Sequence, residues 1–113
     1  MKAINFKGKT FSLLDNSKNG TASEHTVFKY DQEGDLVTAD YFGGSVRYGK
    51  IIAKLEDNTL QMLYQCITVE NELKAGKASA KISVVENNKL LLKLNWAWLN
   101  GKKEKGTSHY IEN

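Results

Sequence analysis

The sequence predicts an all-β fold, a single antiparallel up-and-down meander of about eight strands. Two observations support this class. Apolar and polar residues alternate over most of the 113-residue chain, which gives each extended segment one apolar face. Glycine and asparagine recur at short intervals between these segments, where they favour tight turns, and the chain contains no proline. A chain of this length forms one domain, residues 1–113.

Each predicted strand has the period-two pattern and a typical strand length. In chain order they are Thr10–Leu14, Val27–Tyr30, Leu36–Phe42, Val46–Leu55, Leu60–Val69, Ala78–Val85, Leu90–Leu99 and Thr107–Ile111. The predicted turns between them are Asn19-Gly20, Glu33-Gly34-Asp35, Gly43-Gly44, Asp57-Asn58, Glu70-Asn71, Asn87-Asn88 and Asn100-Gly101.

The seventh strand has the clearest apolar face and is predicted to form the centre of the core. That face consists of Leu90, Leu92, Leu94, Trp96 and Trp98. Full burial of such a side chain stabilises a fold by about 1.5–3 kcal/mol before entropy is subtracted. The preceding strand offers a neighbour of smaller volume. Its alternating residues are Ala78, Ala80, Ile82 and Val84.

The segment Leu60–Val69 fits two patterns. A helical stripe is matched by Leu60, Leu63, Tyr64 and Ile67, and a strand face is matched equally well by every second residue from Leu60 to Cys66. Three β-branched residues follow one another at Ile67, Thr68 and Val69, and the predicted turn Glu70-Asn71 comes next. This succession favours a strand. A helix is the alternative.

A weak internal repeat supports successive hairpins. Gly49-Lys50-Ile51-Ile52-Ala53-Lys54 resembles Gly76-Lys77-Ala78-Ser79-Ala80-Lys81, at a spacing that fits hairpin repetition within one sheet.

Eight short antiparallel strands need protection for their two edges, because exposed edges invite aggregation. Closing the meander, fully or nearly, into a small barrel of lipocalin or avidin size removes those edges. Such a barrel leaves room inside for side chains or for one small ligand. An open curled sheet or a sandwich, with one short helix, is the alternative architecture.

The charge pattern argues against nucleic acid as a partner. The chain has 16 Lys+Arg against 13 Asp+Glu, and its longest basic cluster, Lys102, Lys103 and Lys105, is interrupted by Glu104. Met1 to Lys9 show no leader peptide, and no apolar run approaches the length of a membrane span. We therefore expect a cytoplasmic protein in which Cys66, the single cysteine, stays reduced.

Catalytic motifs are sparse. The two histidines, His25 and His109, lie far apart in sequence, and nothing in the pattern pairs either one with Ser23, Ser108 or Cys66 as a nucleophile. The sequence therefore predicts no catalytic residue, and a non-catalytic protein is favoured.

Metal and phosphate signatures are also missing from the sequence. One cysteine and two histidines give no zinc spacing. Asp31, Glu33 and Asp35 alternate, but the closing glutamate of a calcium loop is replaced by Phe42. Gly43-Gly44-Ser45 leads into another strand rather than a helix, which indicates a hairpin turn. We predict neither a metal nor a cofactor.

Aromatic residues on the predicted strands form the candidate ligand-binding site. Tyrosine and tryptophan combine an apolar ring with a polar tip, and in a barrel they can line a cavity. The candidate residues are Tyr41, Arg47, Tyr48, Tyr64, Trp96, Trp98 and His109, with Arg47 or His109 fixing polarity. The alternative is that the aromatic rings fill the core of a small domain.

One stretch of the chain carries a family resemblance. The residues that carry it are Asn19-Gly20-Thr21, Ser23-Glu24, Thr26, Phe28-Lys29-Tyr30, Gln32-Glu33-Gly34, Leu36, Thr38-Ala39, Tyr41, Gly43-Gly44, Gly49, Tyr64, Gly76 and Trp96-Ala97-Trp98. With these residues the chain resembles a family of short bacterial proteins of about this length, whose members are often named N-acetylglutamate synthase. The resemblance implies an acetyltransferase but assigns no catalytic residue.

Three functions follow as hypotheses. The first is a barrel that binds a small molecule or a short peptide, and the second is the acetyltransferase that the resemblance implies. The third is an accessory protein that acts through its sheet surface, where Leu63, Leu91 and Leu99 point away from the predicted core. The sequence predicts neither the ligand nor the oligomeric state.

Overall fold

A computed structural model describes residues 4–16, 25–101 and 104–113, and all the strands in these residues belong to one closed barrel. The strands are β1 (Thr10–Asn16), β2 (Val27–Glu33), β3 (Leu36–Gly43), β4 (Val46–Glu56), β5 (Thr59–Thr68), β6 (Leu73–Val84), β7 (Leu90–Trp98) and β8 (Lys105–Glu112).

Each strand pairs antiparallel with the next, and β1 pairs with β8 to close the sheet. Phe11 of β1 lies opposite Phe28 of β2 on one side and Glu112 of β8 on the other. The predicted eight-stranded meander is therefore confirmed, and it closes completely. The ambiguous segment is a strand, as predicted, since β5 covers Thr59–Thr68.

Several strands are longer than predicted, most of all β2, β6 and β8, and β8 covers Lys105–Glu112 rather than Thr107–Ile111. β6 begins at Leu73, five residues before Ala78, because its first residues pair with the end of β5, from Gln65 to Ile67. Leu73 is exposed, so this part of the strand lacks the apolar alternation that marks the rest. β2 continues to Glu33 because its polar end is held in register by β3.

Asparagine and aspartate occupy the tight turns, as predicted. Asp57, Asn71, Asn87 and Asn88 have positive φ angles between 55° and 69°, which these residues tolerate better than most. Glycine is required at Gly43, where φ is 110° and an added Cβ would lie 2.1 Å from the carbonyl oxygen of His25. The predicted turn at Asn19-Gly20 lies outside the described residues.

Helical structure in the described ranges is limited to a 3₁₀ turn, Glu86–Asn88, between β6 and β7. None of those residues forms a helix long and apolar enough to cross a membrane.

The barrel interior alternates large and small side chains. On β7, Leu90, Leu92, Leu94 and Trp96 are buried, as predicted for the core strand. Ala78 lies opposite Trp96 and Ala80 lies opposite Leu94, so the small residues of β6 make room for the large ones. This matching of volumes fills a narrow barrel without forcing the strands apart.

The internal repeat has a structural cause. Gly49 pairs with Tyr41, and Gly76 pairs with Tyr64, in equivalent positions of two neighbouring hairpins. A Cβ would lie 2.2 Å from the Tyr41 ring at Gly49 and 2.5 Å from the Tyr64 ring at Gly76. In each pair the glycine provides the space in which a tyrosine ring lies flat against the sheet.

The lower end of the barrel, where the N-terminal segment 4–9 lies, is closed by aromatic rings. Phe6 is fully buried, with its ring centroid 5.8 Å from that of Phe11 and 5.2 Å from that of Tyr30. Its backbone N–H donates to Oε1 of Gln32 at 2.9 Å. The side-chain amide of Gln32 in turn donates to the carbonyl of Gly34 at 2.8 Å. This end is therefore both packed and hydrogen-bonded.

Candidate ligand-binding site at the upper end of the barrel

We call the end of the barrel opposite Phe6 the upper end. There, four aromatic side chains face the interior. We call Tyr41, Tyr64, Trp96 and Trp98 the aromatic cluster. The Tyr64 and Trp98 rings meet edge to face, with centroids 5.6 Å apart, and the two indoles lie 6.1 Å apart. Tyr64 and Trp98 are half-buried, so the cluster reaches from the core to the solvent.

Strand pairing places these rings together. Gly76 on β6 lies between Tyr64 of β5 and Trp98 of β7 in the sheet register. Because a glycine has no side chain, both rings can occupy the space above it. The strand pairing that forms the barrel therefore also brings the Tyr64 and Trp98 rings together.

The two tryptophans differ in hydrogen bonding. Nε1 of Trp96 donates to Oγ of Ser108 at 2.8 Å in the buried interior. Nε1 of Trp98 is also buried, and it has no hydrogen-bond partner within the described part of the chain. A buried donor without an acceptor costs about 1–3 kcal/mol, so an oxygen that accepts from this N–H would remove that cost.

A cation covers the outer tryptophan. Nζ of Lys74 lies 4.2 Å from the centroid of the Trp98 ring, within the range of a cation–π contact. Lys74 sits opposite Cys66 in the register and is half-buried. This places one positive charge at the edge of the aromatic cluster.

Cys66 lies deeper, beside Tyr41. Burial raises the pKa of the Cys66 thiol, while a hydrogen bond with Tyr41 and the charge of Lys74 act in the opposite direction. Burial likewise raises the pKa of Tyr41, with a further contribution from Cys66. The Tyr41 hydroxyl donates to the carbonyl of Gln65 at 3.4 Å. Both groups therefore remain protonated at neutral pH.

Burial also keeps the remaining interior phenols neutral. It raises the pKa of Tyr64, and it raises the pKa of Tyr110 to about 12, against a lowering hydrogen bond from Ser108. The upper interior thus presents neutral hydroxyl, thiol and indole groups among aromatic faces. Such an arrangement can bind and orient a molecule, but these groups do not supply a general base at neutral pH.

Four of the seven sequence-predicted site residues form the aromatic cluster, and Arg47 and Tyr48 do not. In the pairing of β4 with β5, Val46 lies opposite Thr68 and Tyr48 opposite Ile67, so Arg47 is the extra residue of a bulge. Arg47 is exposed at the rim, where Nη1 donates to Oδ1 of Asn71 at 3.5 Å.

Tyr48 faces outward by the alternation of its own strand, since Gly49 and Ile51 face the interior, and the bulge instead returns Val46 to the interior face. On the outside, the Tyr48 hydroxyl donates to Oδ1 of Asp40 at 2.7 Å, and Nζ of Lys50 lies 3.0 Å from the same oxygen. The hydrogen bond from Tyr48, followed by that from Lys50, lowers the pKa of Asp40. Tyr48 therefore belongs to a surface cluster.

His109 also faces outward, because its neighbours Ser108 and Tyr110 face the interior. Its Nδ1 lies 2.6 Å from Oδ1 of Asp15. The pair spans the seam at which β8 joins β1. The other histidine, His25, is exposed on the segment that leads into β2.

Sequence reasoning missed four interior residues at this end, namely Cys66, Lys74, Ser108 and Tyr110. A signal existed for three of them: Cys66 shares its strand face with Tyr64, and the alternation that turns His109 outward turns Ser108 and Tyr110 inward. Lys74 had no such signal, because β6 was predicted to begin after it.

Other chemistries find little support in the described residues. No group of histidine, cysteine or carboxylate side chains among them is placed to hold a metal ion. Those residues also contain no α-helix, so they include no strand, glycine turn and helix N-terminus of the kind that binds the pyrophosphate of acetyl-CoA.

Comparison with known proteins agrees with the observed architecture. The family described as avidin-like protein matches residues 4–113, nearly the whole chain. No curated protein and no solved structure gives a significant match. On the strength of the family match and the closed eight-stranded barrel, the chain belongs to the avidin-like protein family.

Proposed function

We propose that this protein binds a small molecule, or the end of a short peptide, at the upper end of the barrel through the aromatic cluster. An eight-stranded barrel is wide enough to hold one small ligand. Aromatic walls with a few directed polar groups are typical of such sites. Membership of the avidin-like family supports a ligand-binding barrel.

The observation that carries this proposal is the unpartnered N–H of Trp98. The Trp98 side chain lies on the interior face of β7, and its ring lies beside those of Tyr64 and Trp96 at the upper end of the barrel. Its neighbour Trp96 has a protein acceptor for the same atom. A ligand that brings an acceptor to Trp98 relieves the cost of that unpaired donor, which favours binding at this point.

The surroundings of this N–H indicate the class of ligand. The edge of the Tyr64 ring and the faces of the indoles favour a flat, largely apolar molecule. Nε1 of Trp98 is a hydrogen-bond donor, so a carbonyl or carboxylate oxygen of the ligand can accept from it. The ammonium of Lys74 lies 4.2 Å from the Trp98 ring and favours a negative charge near that oxygen. We therefore propose a planar ligand that carries a carbonyl or a carboxylate.

A fragment library tests the proposal by thermal unfolding. The library contains planar ring compounds with a carbonyl or carboxylate, together with matched compounds that lack the acceptor. A compound at 100 times its dissociation constant adds about 2.7 kcal/mol to the free energy of unfolding. We expect binders from the first group only, and equal behaviour of both groups contradicts the proposed role of Trp98.

Two variants locate the binding site. Trp98→Phe keeps the aromatic ring but removes the N–H, and we expect it to weaken binding about tenfold, the effect of one hydrogen bond. Tyr48→Phe, on the outer surface, is the matched control and should leave affinity unchanged. Acetyl-CoA with glutamate is assayed in parallel, and formation of N-acetylglutamate above background would favour the acetyltransferase instead.

A further inference from the structure

The outer wall of the barrel carries a groove that is separate from the upper end. It has a volume of about 870 Å³ and runs from Leu36 on β3 to Lys105 on β8. Most of its lining residues, such as Ile52, Leu63 and Lys77, lie on the outward faces of their strands.

The floor of the groove is apolar and exposed. Leu36, Ile52 and Leu63 line it, with 46%, 58% and 62% of their surface accessible to solvent. Ile52 and Leu63 are direct neighbours across β4 and β5, so their side chains form one continuous patch. Exposed apolar side chains that adjoin in this way are typical of an interaction surface.

The walls of the groove are basic. Lys54, Lys77 and Lys105 line it, whereas Asp35 is the one acidic residue in the lining. The register places Lys77 directly beside Leu63, so a positive charge adjoins the apolar floor. A neighbouring row of Gln61, Ser79 and Asn95 adds hydrogen-bonding side chains along the same surface.

We propose that this groove docks an extended segment of a partner protein that combines apolar side chains with carboxylates. Leu63 and Ile52 receive the apolar side chains, and the lysines pair with the carboxylates. The amide and hydroxyl row is suited to the polar backbone of an extended chain. This surface lies on the outside of the barrel, whereas the donors of the upper end line its interior.

The charge of the groove favours this occupant over two others. A second copy related by a two-fold axis brings the same surface to both sides, so three lysines and one aspartate on each side give two surfaces of like net charge that repel. Nucleic acid binds mainly through phosphates and stacking on aromatic faces, whereas the exposed apolar side chains here are aliphatic and the one aromatic residue of the lining, Trp96, is buried. An acidic, apolar peptide can pack its apolar side chains on the floor and pair its carboxylates with the lysines of the walls.

The dimensions of the groove set the length of the segment. From β3 to β8 the groove crosses five strand intervals of about 4.8 Å, or about 24 Å along the wall. An extended peptide advances about 3.3 Å per residue, so about seven residues span the groove. A contact of this size is below that of a standard stable interface, so we expect an affinity in the micromolar range.

The probe is a fluorescein-labelled peptide of about eight residues in which leucine and glutamate alternate, and free fluorescein, itself a planar carboxylate, shows whether the label alone binds at the upper end. A second peptide has lysine in place of glutamate, and a third probe is a labelled single-stranded oligonucleotide. Fluorescence anisotropy with the full chain should show saturable binding of the leucine–glutamate peptide and a weaker effect of the other two. Equal or tighter binding of the oligonucleotide, or no binding of the acidic peptide, overturns the proposal.

Paired variants place the peptide on the groove. Lys77→Glu and Leu63→Thr each change one lining residue, and we expect each to weaken binding at least fivefold. Lys93→Glu and Leu73→Thr make the same changes at outward positions outside the lining and should bind as the parent does. A uniform effect of all four variants contradicts docking in the groove. Trp98→Phe should leave peptide binding unchanged, so this test is independent of the upper end.

Discussion

The two ends of the barrel use aromatic residues in opposite ways. At the lower end Phe6 and Phe11 are fully buried, and Gln32 pairs with the backbone of the N-terminal segment. At the upper end Trp98 is half-buried, and its N–H has no partner in the described residues. The lower end is therefore packed and hydrogen-bonded by the chain itself, whereas the upper end keeps a buried donor that the proposed ligand would pair. This difference predicts that substitutions below affect stability and that substitutions above affect binding.

Phe6→Ala should have the largest effect on stability. It removes the ring that closes the lower end and leaves a cavity between Phe11 and Tyr30. We expect a loss of about 3–5 kcal/mol in the free energy of unfolding, measured by urea denaturation. Ligand affinity at the upper end should stay within twofold of the parent, and a larger change would show that the two ends are coupled.

Alkaline pH should unfold the protein through its buried phenols. A tyrosine in the unfolded chain has a pKa near 10, whereas burial raises the pKa of Tyr110 to about 12 and raises those of Tyr30 and Tyr41 as well. Because the folded state favours the neutral phenol, its contribution to stability is complete below pH 10 and declines as the pH rises above it. For Tyr110 the contribution is about 2–3 kcal/mol.

Phenolate absorbance and circular dichroism, recorded together, check the alkaline transition. Tyr48→Phe removes the exposed tyrosine, so the remaining phenolate signal comes from interior residues. We expect the interior phenolates to appear together with the loss of the β-sheet signal. Interior phenolates that form while the sheet remains intact would contradict the assigned burial.

The two glycine–tyrosine pairs should differ in their tolerance of a side chain. Gly49→Ala places a Cβ against Tyr41, which is buried and stacked on Phe28 with centroids 4.9 Å apart. Gly76→Ala meets Tyr64, which is half-buried and has room to move outward. Overpacking costs about 1–3 kcal/mol, and we place Gly49→Ala near the top of this range and Gly76→Ala near the bottom.

Denaturation of both glycine variants measures the difference. In the background of Tyr41→Leu, which removes the ring, Gly49→Ala should cost less than it does in the parent. Equal costs for Gly49→Ala and Gly76→Ala, or a cost that does not depend on Tyr41, would argue against the ring contact as the reason for glycine.

Matched substitutions of the two tryptophans sharpen the comparison further. Trp96→Phe leaves Oγ of Ser108 without its indole donor in a buried site, and we expect a cost of about 1–3 kcal/mol from this lost bond in addition to the smaller ring. Trp98→Phe removes an unpartnered N–H and should be less destabilising by about that amount. Thermal unfolding of both variants gives the difference, and a larger loss for Trp98→Phe contradicts the assignment.

His109→Ala should have the smallest effect. The pair with Asp15 bridges β8 and β1 on the outer surface, where both side chains are partly exposed. Such pairs contribute about 0–1 kcal/mol. A double-mutant cycle with Asp15→Asn measures the coupling energy, and a value well above this range would show that the seam depends on the pair.

Most of the fold was predictable because period-two alternation marks every strand. The core face of β7 and the small residues of β6 follow directly from that alternation. The alternation does not predict the start of β6, because Leu73, Lys74 and Ala75 lack an apolar face of their own. These residues are held in place by pairing with β5. Phe6 was also missed as a core residue, since it lies outside any strand and is buried by tertiary contacts.

The site was predictable in part. Tyr41, Tyr64, Trp96 and Trp98 converge because each occupies the interior face of its strand. Tyr48 does not join them, because it shares the outward face of Ile52 and Lys54, which the alternation of β4 already indicates. The bulge at Arg47 has no marker in the local pattern, and the residue it affects is Val46, which is buried although alternation alone would turn it outward.

The indole N–H resonances provide the most direct test of the upper end as the binding site. The chain contains two tryptophans, so a ¹⁵N-labelled sample gives two indole signals, which Trp96→Phe and Trp98→Phe assign. A compound that raises the unfolding temperature should shift the Trp98 signal downfield as its N–H gains an acceptor, with a smaller change at Trp96 and none in the backbone signal of Phe6. A stabilising compound that leaves the Trp98 signal in place and shifts that of Phe6 instead would contradict the account.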